Sequence, residues 1–172
     1  MIQMPLHPIV VHLPIVMMLL LPFVIAVLIV AEKKGIIHEK LWYAVAFYQA
    51  IVTGASFLAL KLGEGDEELV EKFVSEKIIE NHEEWGEVLA WTALAIFIMI
   101  LGSIVLKKIK IMKVVALAAS IGGLIPVVMA GHTGGELVYR HGAAQAHVQK
   151  AENQMGPTQD NNETSGDEDD DD

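Results

Sequence analysis

From Ile9 to Ala31 the chain runs without a single Asp, Glu, Lys or Arg. At ~1.5 Å per helical residue such a run crosses a hydrocarbon core of ~30 Å. Inside a bilayer every backbone N–H and C=O must be satisfied within the chain, so a helix is the form this run can take. Three further apolar runs follow, at about 41–62, 85–106 and 114–131. Four spans, the first joined to the second and the third to the fourth by short turns, predict an all-α, integral membrane four-helix bundle over residues 1–147. The first run differs from a secretory leader. No Lys or Arg precedes it, it is long, and no small-residue cleavage site follows, so a permanent span is expected. Pro14 and Pro22 lie within it and Pro126 within the fourth, and each predicts a bend. Trp42 and Tyr43 open the second span as interfacial anchors.

Between the second and third spans, Gly63-Glu64-Gly65-Asp66 reads as a break. Apolar residues at Leu69, Val70, Phe73, Val74, Ile78 and Ile79 then predict an extra amphipathic helix over about 67–81. Its polar face is acidic, so it is expected to pack over the bundle end and not on anionic lipid. Residues 148–172 are polar and then acidic, and they predict a disordered tail. Much of the net charge of −10 lies in that tail and in the loop after the second span. A docking site for a basic partner is the minor alternative for the tail.

Composition closes several routes. There is no cysteine, so disulfides, covalent haem attachment, thiolate-held clusters and a Cys nucleophile are excluded. The basic residues are few and divided among turns, so nucleic-acid binding is not expected. No Ser-His-Asp pattern, phosphate loop or paired intramembrane carboxylates occur, and no hydrolase or transferase motif is present. Lys33, Lys34 and Lys40 occupy the first short turn, and Lys107, Lys108, Lys110 and Lys113 the next. The positive-inside rule puts these turns in the cytoplasm and both termini outside, in a multi-pass protein of the inner (cytoplasmic) membrane.

That topology gathers the histidines. Six of the seven, all but His38, fall at the end of the bundle opposite the lysine turns. Ionisable residues at membrane depth are costly and mark functional sites. Single histidines at an interface need no such explanation, but His12, His82 and His132 can meet in one pocket. Steps of three and four from His82 give Gly86, Leu89, Ala93 and Phe97. The same walk back from His132 gives Met129, Ile125, Gly122 and Ala118. Small residues on these faces allow close helix approach or room for a flat ring.

In an up-down-up-down bundle the first and third spans are diagonal, so His12 and His82 can ligate one iron from opposite sides. A haem b held by two imidazoles is the leading expectation. His132 and His141 are substitute ligands, Gly134 and Gly135 permit close approach, and Arg140 neutralises a propionate. The alternative is a Zn, Cu or Fe ion on His12, His82 and His132, with Glu83, Glu84 or Glu136 nearby. A third reading is a structural subunit whose His/Gly motif only closes the bundle end. Electron transfer, with quinol and a separate periplasmic redox protein as partners, is the most that enzyme chemistry extends to here.

The motifs resemble one known family. His7-Pro8-Ile9-Val10-Val11-His12-Leu13-Pro14, the Gly-Asp break, His82 before the third span, and above all Gly134-Gly135-Glu136-Leu137-Val138-Tyr139-Arg140-His141-Gly142 look like the bacterial predicted-membrane-protein family called domain of unknown function 2231. The likeness covers about residues 5–145. It implies a four-span membrane domain. Some members are joined to Rieske or cytochrome-type domains, which implies a link to electron transfer. The acidic insertion between the second and third spans departs from typical members.

Overall fold

The computed structural model describes residues 6–106 and 110–155. The chain forms α1 (His7–Lys33), a single 3₁₀ turn (Glu39–Leu41), α2 (Trp42–Val70), α3 (Glu76–Val105), α4 (Lys110–Gly122), α5 (Leu124–Tyr139) and α6 (Ala143–Met155). No strand occurs among the described residues. Four helical stretches are long and apolar enough to cross a membrane: His7–Lys33, Glu39–Val70, Glu76–Val105 and Ile111–Tyr139. The fourth combines α4 and α5.

The helices form a square. α1 packs on α2 and α4, α3 packs on α2, α4 and α5, and α1 and α3 stand diagonally opposite. One face of each helix supplies the core, with Met18, Leu21, Ile25, Val52, Leu89, Ile96 and Ile100 buried. The outward faces carry Phe23, Val27, Phe47, Trp91, Ile98 and Ile125, all exposed. Large apolar side chains turned outward on every span are stable only against lipid.

Proline acts differently in the two spans that contain it. α1 continues through Pro14 and Pro22. Pro22 cannot bond the carbonyl a turn before it, and the Tyr48 hydroxyl donates to the neighbouring Met17 carbonyl at 2.6 Å. A side chain from the next helix thus adds a hydrogen bond beside the one that Pro22 cannot make. In the fourth span the ring of Pro126 opposes the carbonyl four residues earlier, that of Gly122, and α4 ends at Gly122.

The segment 67–81 is not one amphipathic helix. α2 passes through Gly63 and Gly65 to Val70, and α3 begins at Glu76. The helically spaced apolar residues belong to two helix ends that meet across a turn. Val74 and Ile79, with Val70 and Ile78, close into a small apolar cluster with Leu137 and Ala143. Helical spacing cannot separate one helix from two ends folded onto a common cluster. The fourth span also outruns its expected limit near Gly131, since α5 is helical to Tyr139. The chain then turns at Gly142, whose φ is +74°. It continues as α6 against α5 and α2, so 148–155 is helical and not tail. The remainder of the tail lies outside the described residues.

The lysine end is closed by a charged cluster. Lys113 Nζ lies 2.8 Å from both carboxylate oxygens of Glu32, and the Trp42 indole N–H donates to Glu32 Oε2 at 2.8 Å. The ammonium stands 4.6 Å from the centre of the Trp42 ring. Trp42 is therefore a core residue, 1% exposed, and not an interfacial anchor; Tyr43 beside it is 63% exposed. Between the two ends Gln49 is fully buried. Its amide donates to the Ala93 carbonyl at 2.9 Å, while its Oε1 has no partner among the described residues.

Candidate functional site

Two imidazoles meet at the histidine end. His7 begins α1 and His82 stands in the second turn of α3, so they reach each other across the diagonal of the square. Their ring centroids are 6.2 Å apart and their planes are perpendicular.

Each ring is oriented through Nδ1. His7 Nδ1 lies 2.7 Å from the Ala59 carbonyl on α2. A carbonyl only accepts, so this nitrogen carries hydrogen and donates. His82 Nδ1 lies 2.9 Å from Thr133 Oγ1 on α5. The Thr133 hydroxyl itself lies 3.0 Å from the Met129 carbonyl and 3.3 Å from that of Ala130. When its one proton goes to those carbonyls, its oxygen accepts from His82 Nδ1–H. A ring that donates through Nδ1 keeps its lone pair on Nε2 when it is neutral. His7 Nε2 makes no hydrogen bond with a described residue, whereas His82 has the Ala130 backbone carbonyl as a second partner. Histidines that bind metals are oriented as His7 is, with one nitrogen donating to a carbonyl or hydroxyl and the other free to ligate.

Two glycines make this packing possible. A Cβ on Gly134 would stand 3.0 Å from His82 Cε1, and one on Gly63 would stand 3.3 Å from His7 Cε1 and Nδ1. α5 and α2 thus press their backbones against the ring edges, and a Cβ at either position would require the ring to shift by a few tenths of an ångström. One turn further out on α3 and α5, Ile79 and Leu137 join the apolar cluster that covers this end.

The other expected site residues fall elsewhere. His12 is exposed. Five residues beyond His7 on a helix, it lies roughly 140° further round, so the turn that points His7 inward points His12 away. His132 is 64% exposed on its side chain, one residue from inward-facing Thr133, and its Nε2 stands 3.9 Å from Glu136 Oε2. Glu136 also binds exposed Arg140 at 2.6 Å. His132, Glu136 and Arg140 thus form a surface ladder at i, i+4 and i+8, and His141 follows, half-buried. Gly135 has no neighbour within 4 Å of a notional Cβ, so only Gly134 of the glycine pair serves close approach. His12, His82 and His132 are not brought together, and no group of three His, Asp or Glu suited to a metal ion occurs among the described residues.

His7, Thr133, Gly63 and the Ala59 carbonyl complete the site and were not among the expected residues. A signal for His7 was present. The buried positions of α1, Pro14, Met18, Leu21, Ile25 and Leu28, lead back by one heptad from Pro14 to His7.

Compared with known proteins, residues 3–147 match the family described as Predicted membrane protein (DUF2231). No curated protein matches the chain, and no solved structure does.

Proposed function

The chain belongs to the DUF2231 family of predicted membrane proteins, and from that premise we propose that it is a membrane electron-transfer subunit holding a b-type haem between His7 and His82. The observation that carries this reading is the imidazole pair itself. Two rings from diagonal helices converge, each tied down through Nδ1, and His7 Nε2 is left to ligate. Two imidazoles are a donor set that a b-type haem iron would take from the protein, and His7 and His82 would hold it. A bare zinc ion asks the protein for three or four ligands, and a third is not grouped here among the described residues.

When bound, the haem supplies one-electron chemistry. The chain's own residues do the rest. The Ala59 carbonyl and the Thr133 hydroxyl hold both tautomers and ring orientations. Gly63 and Gly134 let α2 and α5 approach the rings. Ile79 and Leu137 limit water from outside, and lower local polarity tunes a redox centre. Arg140 is the guanidinium at this end and would be the residue to pair with a propionate. With the lysine turns in the cytoplasm, the pair faces the outer side of the inner membrane, within reach of quinol and a separate periplasmic redox protein.

The test is a reduced-minus-oxidised visible spectrum of the detergent-purified protein, with haem extracted as its pyridine complex. Haem b bands are expected in wild type and in His12→Ala. They are expected to vanish in His7→Ala and His82→Ala. A colourless protein made with adequate haem supply overturns the reading. Metal analysis of that colourless protein then separates a metal-ion site from a purely structural subunit.

A further inference from the structure

A groove of about 500 Å³ opens between α1 and α2 in the half of the bundle nearest the lysine end. Phe23, Val27 and Leu28 line one wall, and Leu41, Ala44 and Tyr48 line the other. Phe23 and Val27 are among the exposed apolar residues, so the groove faces the surrounding lipid. Its one polar group is the Tyr48 hydroxyl, which already donates to the Met17 carbonyl. The lining therefore offers hydrocarbon surface and no spare donor. That suits an alkyl chain and not the carbonyl-bearing ring of a quinone, which needs a hydrogen bond when buried.

Directly above the groove lies the turn that joins its two walls. Lys40 adjoins Leu41, and Lys33 follows Leu28 by five residues, a rise of ~7.5 Å. Lys33, Lys34 and Lys40 are exposed, and no ion pair among the described residues engages them. The acids of the turn do not cancel them. Glu32 is held by Lys113 and the Trp42 indole, which leaves three lysines against Glu39 alone. An apolar slot thus runs up into a cationic rim at the depth where headgroups begin.

We propose that this face binds an anionic phospholipid of the leaflet at the lysine end. One acyl chain lies in the groove between α1 and α2, and the headgroup phosphate sits among Lys33, Lys34 and Lys40. Clustered lysines beside a span contribute about 1 kcal/mol each towards anionic lipid. The site is independent of the imidazole pair, which lies at the opposite end of the same helices.

The test uses full-length protein stripped of lipid in a neutral detergent, with retained lipid counted by native mass spectrometry. Phosphatidylglycerol, phosphatidylcholine and inorganic phosphate are the probes. One phosphatidylglycerol is expected to be held about tenfold more tightly than phosphatidylcholine, the scale set by one to two engaged lysines. The triple variant Lys33→Gln, Lys34→Gln, Lys40→Gln is expected to lose that preference. Ala44→Phe fills the groove from an exposed position. It is expected to lose retention of both lipids while its melting temperature in lipid-free detergent stays that of wild type. Equal affinity for the two phospholipids overturns the proposal. So does unchanged lipid retention in Ala44→Phe, or a preference that phosphate alone competes away. A dimer that Ala44→Phe dissociates, with lipid retention unaltered, would make the groove a contact between copies and also overturn it.

Discussion

The two ends of the bundle hold polar groups in opposite ways. At the lysine end, Glu32 receives Lys113 and the Trp42 indole, so an acid, a cation and a donor satisfy one another. At the histidine end, His7 spends one ring nitrogen on the scaffold and keeps the other, and His82 is held by the Thr133 hydroxyl and the Ala130 carbonyl. Complete mutual satisfaction is what a structural latch needs, because a buried charge without its partner is expensive. Partial satisfaction at a fixed orientation is what a ligand site needs, since the lone pair has to remain available. The lysine end is thus read as holding the helices together, and the histidine end as holding something else.

This contrast can be broken by measurement. Its largest expected effect is at the latch. Lys113→Ala removes the ammonium 2.8 Å from the mostly buried Glu32 carboxylate and should cost about 3 kcal/mol of unfolding free energy, with any haem signal retained. Loss of the signal in the folded variant would mean that the two ends are not separate. Next comes Gly134→Leu, which drives a side chain into the space of His82 Cε1. A cost of about 2 kcal/mol is expected from overpacking, together with loss of the ligand signal. If the signal survives, His82 is not held where ligation requires it.

Thr133→Val keeps the shape and removes the acceptor of His82 Nδ1–H. It should cost about 1 kcal/mol yet weaken haem retention by about 10- to 100-fold, the usual scale for the partner that orients a ligand. A large stability loss with unchanged retention would make this end a latch as well. Gln49→Met, between the two ends, removes the unpartnered Oε1 and is expected to be neutral or stabilising by up to about 1 kcal/mol, read as a melting temperature in detergent. A large loss there would mean that Oε1 has an essential partner. The smallest effect belongs to His12→Ala, where less than ~0.5 kcal/mol is expected and the spectrum should be that of wild type.

The histidines show how far sequence reasoning reaches. Helical steps forward from His82 led to Leu89 and Ala93, which are buried, because His82 itself faces inward. The same steps back from His132 led to Ile125, which is 63% exposed, because His132 faces outward and Thr133 faces in. A wheel carries its starting residue's orientation with it, right or wrong. α1 posed the same problem more sharply. Being apolar all round, it gives a weak amphipathic signal and does not advertise its inner face. The α1 ligand expected from sequence is therefore His12, and only the seating of α1 against α2 shows that His7 is the one that faces inward. Glycine was ambiguous for a related reason. Gly63 and Gly65 read as a break, because glycine is a poor helix former by ~1 kcal/mol. In the fold, packing of His7 onto Gly63 takes place within an unbroken α2.

By itself the sequence determined the class of this protein. Long runs without charge admit only spanning helices, four of them with short turns after the first and third enforce an alternating bundle, and that alternation sends six of seven histidines to one end. Those conclusions rest on the cost of unsatisfied backbone and of charge in hydrocarbon, which any arrangement of the helices must respect. Tertiary structure alone decided which histidines meet, where α2 ends, and that Trp42 belongs to the core. Each depends on the rotation of one helix against its neighbours, and that rotation is settled by side chains packing from other helices.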